Sequence, residues 1–216
     1  MKKYSSYILP SLLFIGIVIL AYNKIVYHHD IWNNSLFDID VAVIGFYLLW
    51  MVYEIKVSHN DVKQEKVVSD YGTRELYGLS QSLTILSALW FDPVWLEPGI
   101  YHLVGFIFFI SGIVFRIWAI QTLGRYYSHI VRKIDGHKII DTGPYKFLRH
   151  PAYTGMITAH IGITIFYFNY VTCALFVFLL IPSIIVRIII EEKTLIKIKG
   201  YAEFSNNRKR IIPYVW

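Results

Sequence analysis

Residues 153–190 read YTGMITAHIGITIFYFNYVTCALFVFLLIPSIIVRIII. Tyrosine and cysteine aside, His160 and Arg187 are the ionisable side chains in this stretch. A membrane-spanning helix takes about 20 mostly apolar residues, so the stretch is far too long for one span. Asn169 lies mid-stretch and is the natural turn of a tight helical hairpin. Two spans, the fifth and sixth of the chain, follow from that turn.

Upstream, four more apolar runs fall near residues 7–27, 39–53, 76–91 and 99–120. Pro10 suits a first helical turn. The second run is short unless its terminal Tyr and Trp residues sit in the interface. The third is the most polar and ends at Asp92-Pro93. The initial Met-Lys-Lys with its apolar run resembles a signal peptide, but Ala21-Tyr22-Asn23-Lys24 offers no small-x-small cleavage site, so it reads as an uncleaved first span. The sequence predicts an all-α integral membrane protein of about six transmembrane helices, with a helical hairpin near its C-terminus.

Composition agrees. Of 216 residues, 56% are hydrophobic and 17% charged, against roughly 25% charged in soluble domains. The mean hydropathy is +0.47. All 21 Lys and Arg except Lys24, Arg116 and Arg187 fall in the N-terminus, the second loop, the fourth loop or the tail. With six spans these segments share one face, and the positive-inside bias makes it cytoplasmic, with both termini. The same bias explains the net charge of +6 without nucleic acid as a partner. The single cysteine, Cys173, excludes an internal disulfide and a cysteine-based zinc site. The eight histidines are scattered, with no His-x-x-x-His box of the kind membrane di-iron enzymes use. No metal is expected, and for all but His137 and His150 an interfacial or core role is the expectation.

Intramembrane charges are costly and are functional candidates by default. Arg187 and Glu191 stand four apart, on one helical face. They read equally well as a functional pair and as an arginine snorkelling to headgroups beside Glu191. Arg116 reads as half of an interhelical structural pair. The fourth loop is the densest polar segment. It holds Gly143-Pro144, a turn signal, and Pro151, placed to open the fifth span. A helix N-terminus beside His150 and Tyr153 offers N–H groups and a positive dipole end to a ligand anion. The alternative is that basic and aromatic side chains simply line the interface there.

Gly143-Pro144-Tyr145-x-x-x-Arg149-His150-Pro151-x-Tyr153-x-Gly155 resembles the signature of the isoprenylcysteine carboxyl methyltransferase family, which belongs with the membrane phospholipid methyltransferases. Arg116 before Leu123-Gly124, then Asp135-Gly136-His137, Arg187-x-x-x-Glu191-Glu192-x-x-Leu195 and the tail from Gly200 to Pro213 agree in order and spacing. In the tail, Lys199-Gly200-Tyr201-Ala202 stands where many relatives carry an apolar-aromatic residue before a Gly-Glu-Glu-Tyr run.

The resemblance implies one membrane domain over residues 1–216. Residues 1–98 form helices without a family signature. Residues 99–216 form a methyltransferase core, with a cytoplasmic cofactor loop at 121–152 and a tail at 191–216. It implies S-adenosyl-L-methionine as methyl donor, bound without a Rossmann fold, and the glycine-rich fingerprint of that fold is missing from this sequence. The implied cofactor contacts are Arg132, His137, Lys138, Ile139, Ile140, Tyr145, His150, Pro151, Ala152, Tyr153 and Glu191. Arg187 is the implied catalytic, substrate-positioning residue. The implied acceptor is a lipophilic or prenylated molecule entering from the bilayer, methylated on its carboxylate. A phospholipid amine, a small thiol, and a non-catalytic scaffold or transporter are the competing readings. Against a transporter, the charges gather at one boundary and not at the midplane.

Overall fold

The computed structural model describes residues 2–31, 34–62, 72–95, 97–127, 139–213 and 215–216. Three long N-terminal helices come first: α1 (Lys2–Ile31), α2 (Asn34–Val62) and α3 (Thr73–Trp90). They are followed by α4 (Ile100–Leu123), α5 (Pro151–Phe166), α6 (Tyr170–Leu175), α7 (Ile181–Leu195) and the short α8 (Tyr201–Asn206). Among the described residues, four segments are long and apolar enough to cross a membrane: Ser11–His29, Leu36–Val57, Ile100–Tyr126 and Tyr170–Leu195. The chain is therefore an all-helical integral membrane protein. The two other predicted spans are the lesser helices. α3 carries Ser80, Gln81, Ser82, Thr84 and Ser87 along its length. α5 has 16 residues, about 24 Å at 1.5 Å per residue, against a hydrocarbon core of about 30 Å.

The tightest packing is between α4 and α5. Gly105, Phe109 and Gly112 face Gly155, Ala159 and Gly162 at matching i, i+4, i+7 spacing. A Cβ on Gly155 would stand 2.6 Å from the Arg116 backbone nitrogen, and one on Gly105 would stand 2.8 Å from the Gly162 carbonyl oxygen. Small residues allow this approach in lipid, where packing rather than water exclusion drives helix association. The close crossing sets Arg116 of α4 against the first turn of α5.

The hairpin turns where the sequence predicts. Asn169 caps α6, its Oδ1 accepting from the Thr172 N–H at 2.8 Å while its Nδ2 donates to the Tyr167 carbonyl at 3.1 Å. A π turn at Phe176–Leu180 joins α6 to α7. It ends two residues before Pro182, which has no N–H to give the helix ladder.

Lys24, near the end of the first apolar run, lies within α1 and is 4% exposed. Its ammonium donates to the Phe91 carbonyl at 2.9 Å. Nearby, His28 of α1 contacts Asp40 of α2 at 2.9 Å, and the Tyr167 hydroxyl donates to the same carboxylate. These bonds tie α1, α2 and the hairpin turn together.

Candidate functional site

The Gly143-Pro144 signal becomes a single 3-10 turn, Gly143–Lys146, entered through a positive φ of 55° at Gly143. The turn buries Tyr145. The chain then runs alongside the tail: the Arg149 N–H donates to the Lys209 carbonyl at 2.8 Å, and the His150 N–H to the Arg210 carbonyl at 2.9 Å. Pro151 opens α5 as expected. His150 precedes it, its carbonyl accepting from the Tyr153 N–H at 3.0 Å.

Two carboxylates of α7 serve this segment differently. Glu192 gathers three side chains: Arg149 Nη1 at 2.9 Å, His150 Nε2 at 3.3 Å and Arg210 Nε at 2.9 Å. It thus pins the signature segment to the tail. Glu191 instead accepts from the Tyr153 hydroxyl at 3.0 Å. That hydroxyl accepts in turn from Arg187 Nε at 2.9 Å. The i, i+4 relation of Arg187 and Glu191 is thus relayed through Tyr153. Arg187 is 2% exposed and does not snorkel. Its Nη1 donates to Thr73 Oγ1 of α3 at 3.1 Å.

Arg116 is a structural pair, as its place in the sequence predicts. Its Nε and Nη2 donate to the two oxygens of Glu54 on α2 at 2.6 and 2.9 Å. It does more than pair: Nη1 donates to the Ala152 carbonyl at 3.0 Å and Nη2 to the Tyr127 hydroxyl at 3.2 Å. Glu54 is held in turn by the indole N–H of Trp50, at 2.9 Å. The pair therefore fixes the first turn of α5, which carries Ala152 and Tyr153.

Of the residues singled out in the sequence, Tyr145, His150, Pro151, Ala152, Tyr153, Arg187 and Glu191 come to one end of the helix bundle. Ile139 and Ile140 are partly buried. Ile139 packs on an apolar cluster that includes Tyr145, Ala152, Tyr201 and Phe204. Arg132, His137 and Lys138 lie outside the described residues. The sequence reading missed Glu54, Thr73 and Tyr77, all from the half without a motif, and Tyr201 of the tail. One local signal existed for Glu54: an acidic residue one turn after Trp50 on an otherwise apolar span.

Buried phenols dominate the site's electrostatics. Burial raises the Tyr145 hydroxyl above its usual range, and the Glu191 charge adds to the effect. Burial likewise raises Tyr201, reinforced by Glu192 and Glu191. Both stay neutral hydrogen-bond donors at any physiological pH. The Tyr201 hydroxyl is buried without a hydrogen-bond partner, as is that of Tyr77. Two such groups close to one cluster of charges are unusual, because an unsatisfied buried donor costs about 1–3 kcal/mol.

Comparison with known proteins bears directly on this end of the bundle. Residues 103–197 match the model of the isoprenylcysteine carboxyl methyltransferase family. Protein-S-isoprenylcysteine O-methyltransferase of Saccharomyces cerevisiae is 28% identical over 224 aligned residues, covering 98% of this chain and 90% of the yeast protein. A probable protein-S-isoprenylcysteine O-methyltransferase of Oryza sativa subsp. indica is 31% identical over 116 residues, 52% of this chain and 61% of the rice protein. A Bacillus subtilis protein described as uncharacterized is 34% identical over 82 residues, 38% of this chain and 49% of its own length.

Proposed function

We propose that this chain, which belongs to the isoprenylcysteine carboxyl methyltransferase family, methylates the carboxylate of a lipophilic, isoprenylcysteine-like acceptor using S-adenosylmethionine. The observation that carries the reading is the relay from Arg187 through Tyr153 to Glu191. It sets a buried cation one hydroxyl away from a carboxylate, beside the segment where the family signature stands.

The residues present suit the cofactor. Glu191 offers an acceptor for its ammonium, and Tyr145, Tyr153 and Tyr201 offer aromatic faces to a sulfonium. The unpartnered Tyr201 hydroxyl supplies a donor for a polar group of the ligand. His150, Pro151, Ala152, Ile139 and Ile140 would complete the wall, and the family resemblance assigns further contacts to Arg132, His137 and Lys138, which lie outside the described residues. S-adenosylmethionine supplies a methyl carbon whose bond to the sulfonium breaks as its bond to the acceptor oxygen forms.

The protein's own task is then alignment. A carboxylate is ionised at neutral pH and needs no general base. It needs a cation that orients it, and the planar guanidinium of Arg187 is such a group. Arg187 is itself oriented by Thr73 and Tyr153, so little of its rotamer freedom remains to be lost on binding. The surrounding burial excludes water and strengthens the contact. The rate should therefore stay flat from about pH 6 to 9, because the acceptor's ionisation, near pH 3.5, is complete below that window. A rate rising with pH through the window would favour an amine or thiol acceptor.

The remaining topological reading is six spans, with α3 and α5 crossing beside the four longer segments and both termini cytoplasmic. The distribution of Lys and Arg supports it. The cofactor then reaches the site from the cytoplasm, and the acceptor enters from the bilayer.

The deciding experiment is S-adenosylmethionine calorimetry on detergent-purified wild type, His150→Ala and Glu191→Ala. Wild-type binding that weakens at least tenfold in both variants, a loss of about 1.4 kcal/mol, supports the site. A folded wild type that does not bind would overturn the function.

A further inference from the structure

Tyr77 is the group that the relay just described leaves unused. It sits one turn after Thr73 on α3, and its side chain is 8% exposed. Side chains in a helix lean toward its N-terminus, so the Tyr77 ring lies over the turn that carries Thr73. Arg187 bonds to Thr73 at 3.1 Å. The Tyr77 ring meets the Tyr153 ring edge-on, with centroids 6.0 Å apart and an interplanar angle of 89°. Tyr153 is the middle member of the Arg187–Glu191 relay. The Tyr77 hydroxyl has no hydrogen-bond partner.

A stranded hydroxyl is a poor choice for stability alone. Phenylalanine would fill the same space and keep the edge-to-face contact without leaving a donor unmet. The phenol lies one turn from Thr73, on the face of α3 that Arg187 touches through that residue, and its ring packs on Tyr153, which Arg187 also touches. We propose that the Tyr77 hydroxyl donates a hydrogen bond to the acceptor's carboxylate, sharing it with Arg187 and so selecting an acid as the methyl acceptor. This deepens the methyltransferase reading and rests on it. It also gives the motif-free N-terminal half a part in choosing the substrate. One oxygen held by the phenol and guanidinium leaves the other with its lone pairs directed at the methyl carbon.

Tyr77→Phe tests the assignment. The probes are N-acetyl-S-farnesylcysteine and N-acetyl-S-farnesylcysteamine, the second being the same molecule without its carboxylate. In the variant, kcat/KM for the acid falls at least tenfold. The affinity of the cysteamine as a competitive inhibitor stays within twofold of wild type. The S-adenosylmethionine affinity is unchanged, and Tm is unchanged or raised.

Three results would overturn the assignment while leaving the methyltransferase standing: an unchanged kcat/KM for the acid, an equal loss for both probes, or a fall in Tm that accounts for the lost activity. A wild type that binds S-adenosylmethionine but methylates no farnesylcysteine acid overturns the proposed acceptor and this inference together. That result is read from the wild type alone, without the variant.

Discussion

Arg116 and Arg187 are the two arginines inside the predicted spans, and both are buried, at 1% and 2% exposure. Arg116 meets a carboxylate directly. Glu54 takes two of its donors, and Tyr127 and the Ala152 carbonyl take more. Arg187 is held by the hydroxyls of Thr73 and Tyr153, and Glu191 stands one hydroxyl further on. A guanidinium closed by a bidentate carboxylate is committed to the fold, because separating the partners leaves a charge in a poor solvent. The hydroxyls of Thr73 and Tyr153 fix the orientation of the Arg187 guanidinium from two different helices. The first centre places the head of α5; in the proposed function the second acts on the acceptor that this placement aligns.

The sharpest way to break this contrast is through Glu54. Glu54→Ala leaves Arg116 buried without its counter-ion, and the cost should be about 3 kcal/mol, the low end for a broken buried pair because Glu54 retains some exposure. Thermal unfolding in detergent reads it. The double variant Glu54→Leu/Arg116→Met should recover most of the loss, since a fully apolar pair carries no orphaned charge. Failure of the double variant to recover would mean that Arg116 contributes chiefly through Ala152 and Tyr127.

Arg187→Ala should invert the pattern. Transfer to a lipophilic acid should fall at least a hundredfold, about 2.7 kcal/mol, while S-adenosylmethionine affinity stays within about threefold. The stability loss should be smaller than for Glu54→Ala. Equal losses of transfer and cofactor binding would remove the distinction between the two centres.

A smaller effect separates Glu191 from its neighbour. Glu192→Gln removes the carboxylate charge from its bonds to Arg149, His150 and Arg210. It should cost about 1–3 kcal/mol and loosen the tail, speeding tryptic cleavage at Arg208, Lys209 and Arg210. Glu191→Gln should leave tail cleavage unchanged, because Glu191 contacts Tyr153 and not the tail cations. Faster cleavage in both variants would merge the two roles.

The legible part of the molecule was the part governed by local rules. Pro151 opens α5 because proline tolerates the first helical turn. Gly143-Pro144 turns because Gly143 adopts a positive φ. The illegible part was tertiary. Thr73, Tyr77 and Glu54 belong to helices whose sequences show no motif, and what gives them a place at the site is which turn of α2 or α3 faces α4, α5 and α7. Lys24 shows the same limit: the sequence places it near the end of the first apolar run, and only the fold reveals the Phe91 carbonyl that receives its ammonium.

Asn169 gives the smallest effect and the cleanest control. Its side chain both accepts from the Thr172 N–H and donates to the Tyr167 carbonyl, so it closes the hairpin from two sides. Loss of a helix cap costs about 1 kcal/mol, and Asn169→Ala should lower stability by about that amount. Tyr167, next to the turn, also binds Asp40, so the hairpin keeps a second anchor and does not open. The arginine centres lie toward the other end of α5 and α7, and the close α4–α5 crossing holds their spacing independently of the turn. Asn169→Ala should therefore leave kcat/KM and S-adenosylmethionine affinity unchanged while Tm falls. A proportionate fall in activity would mean that strain at the turn travels along α5 to Tyr153, and the site's geometry would then depend on the hairpin as a whole rather than on the Glu54–Arg116 pair.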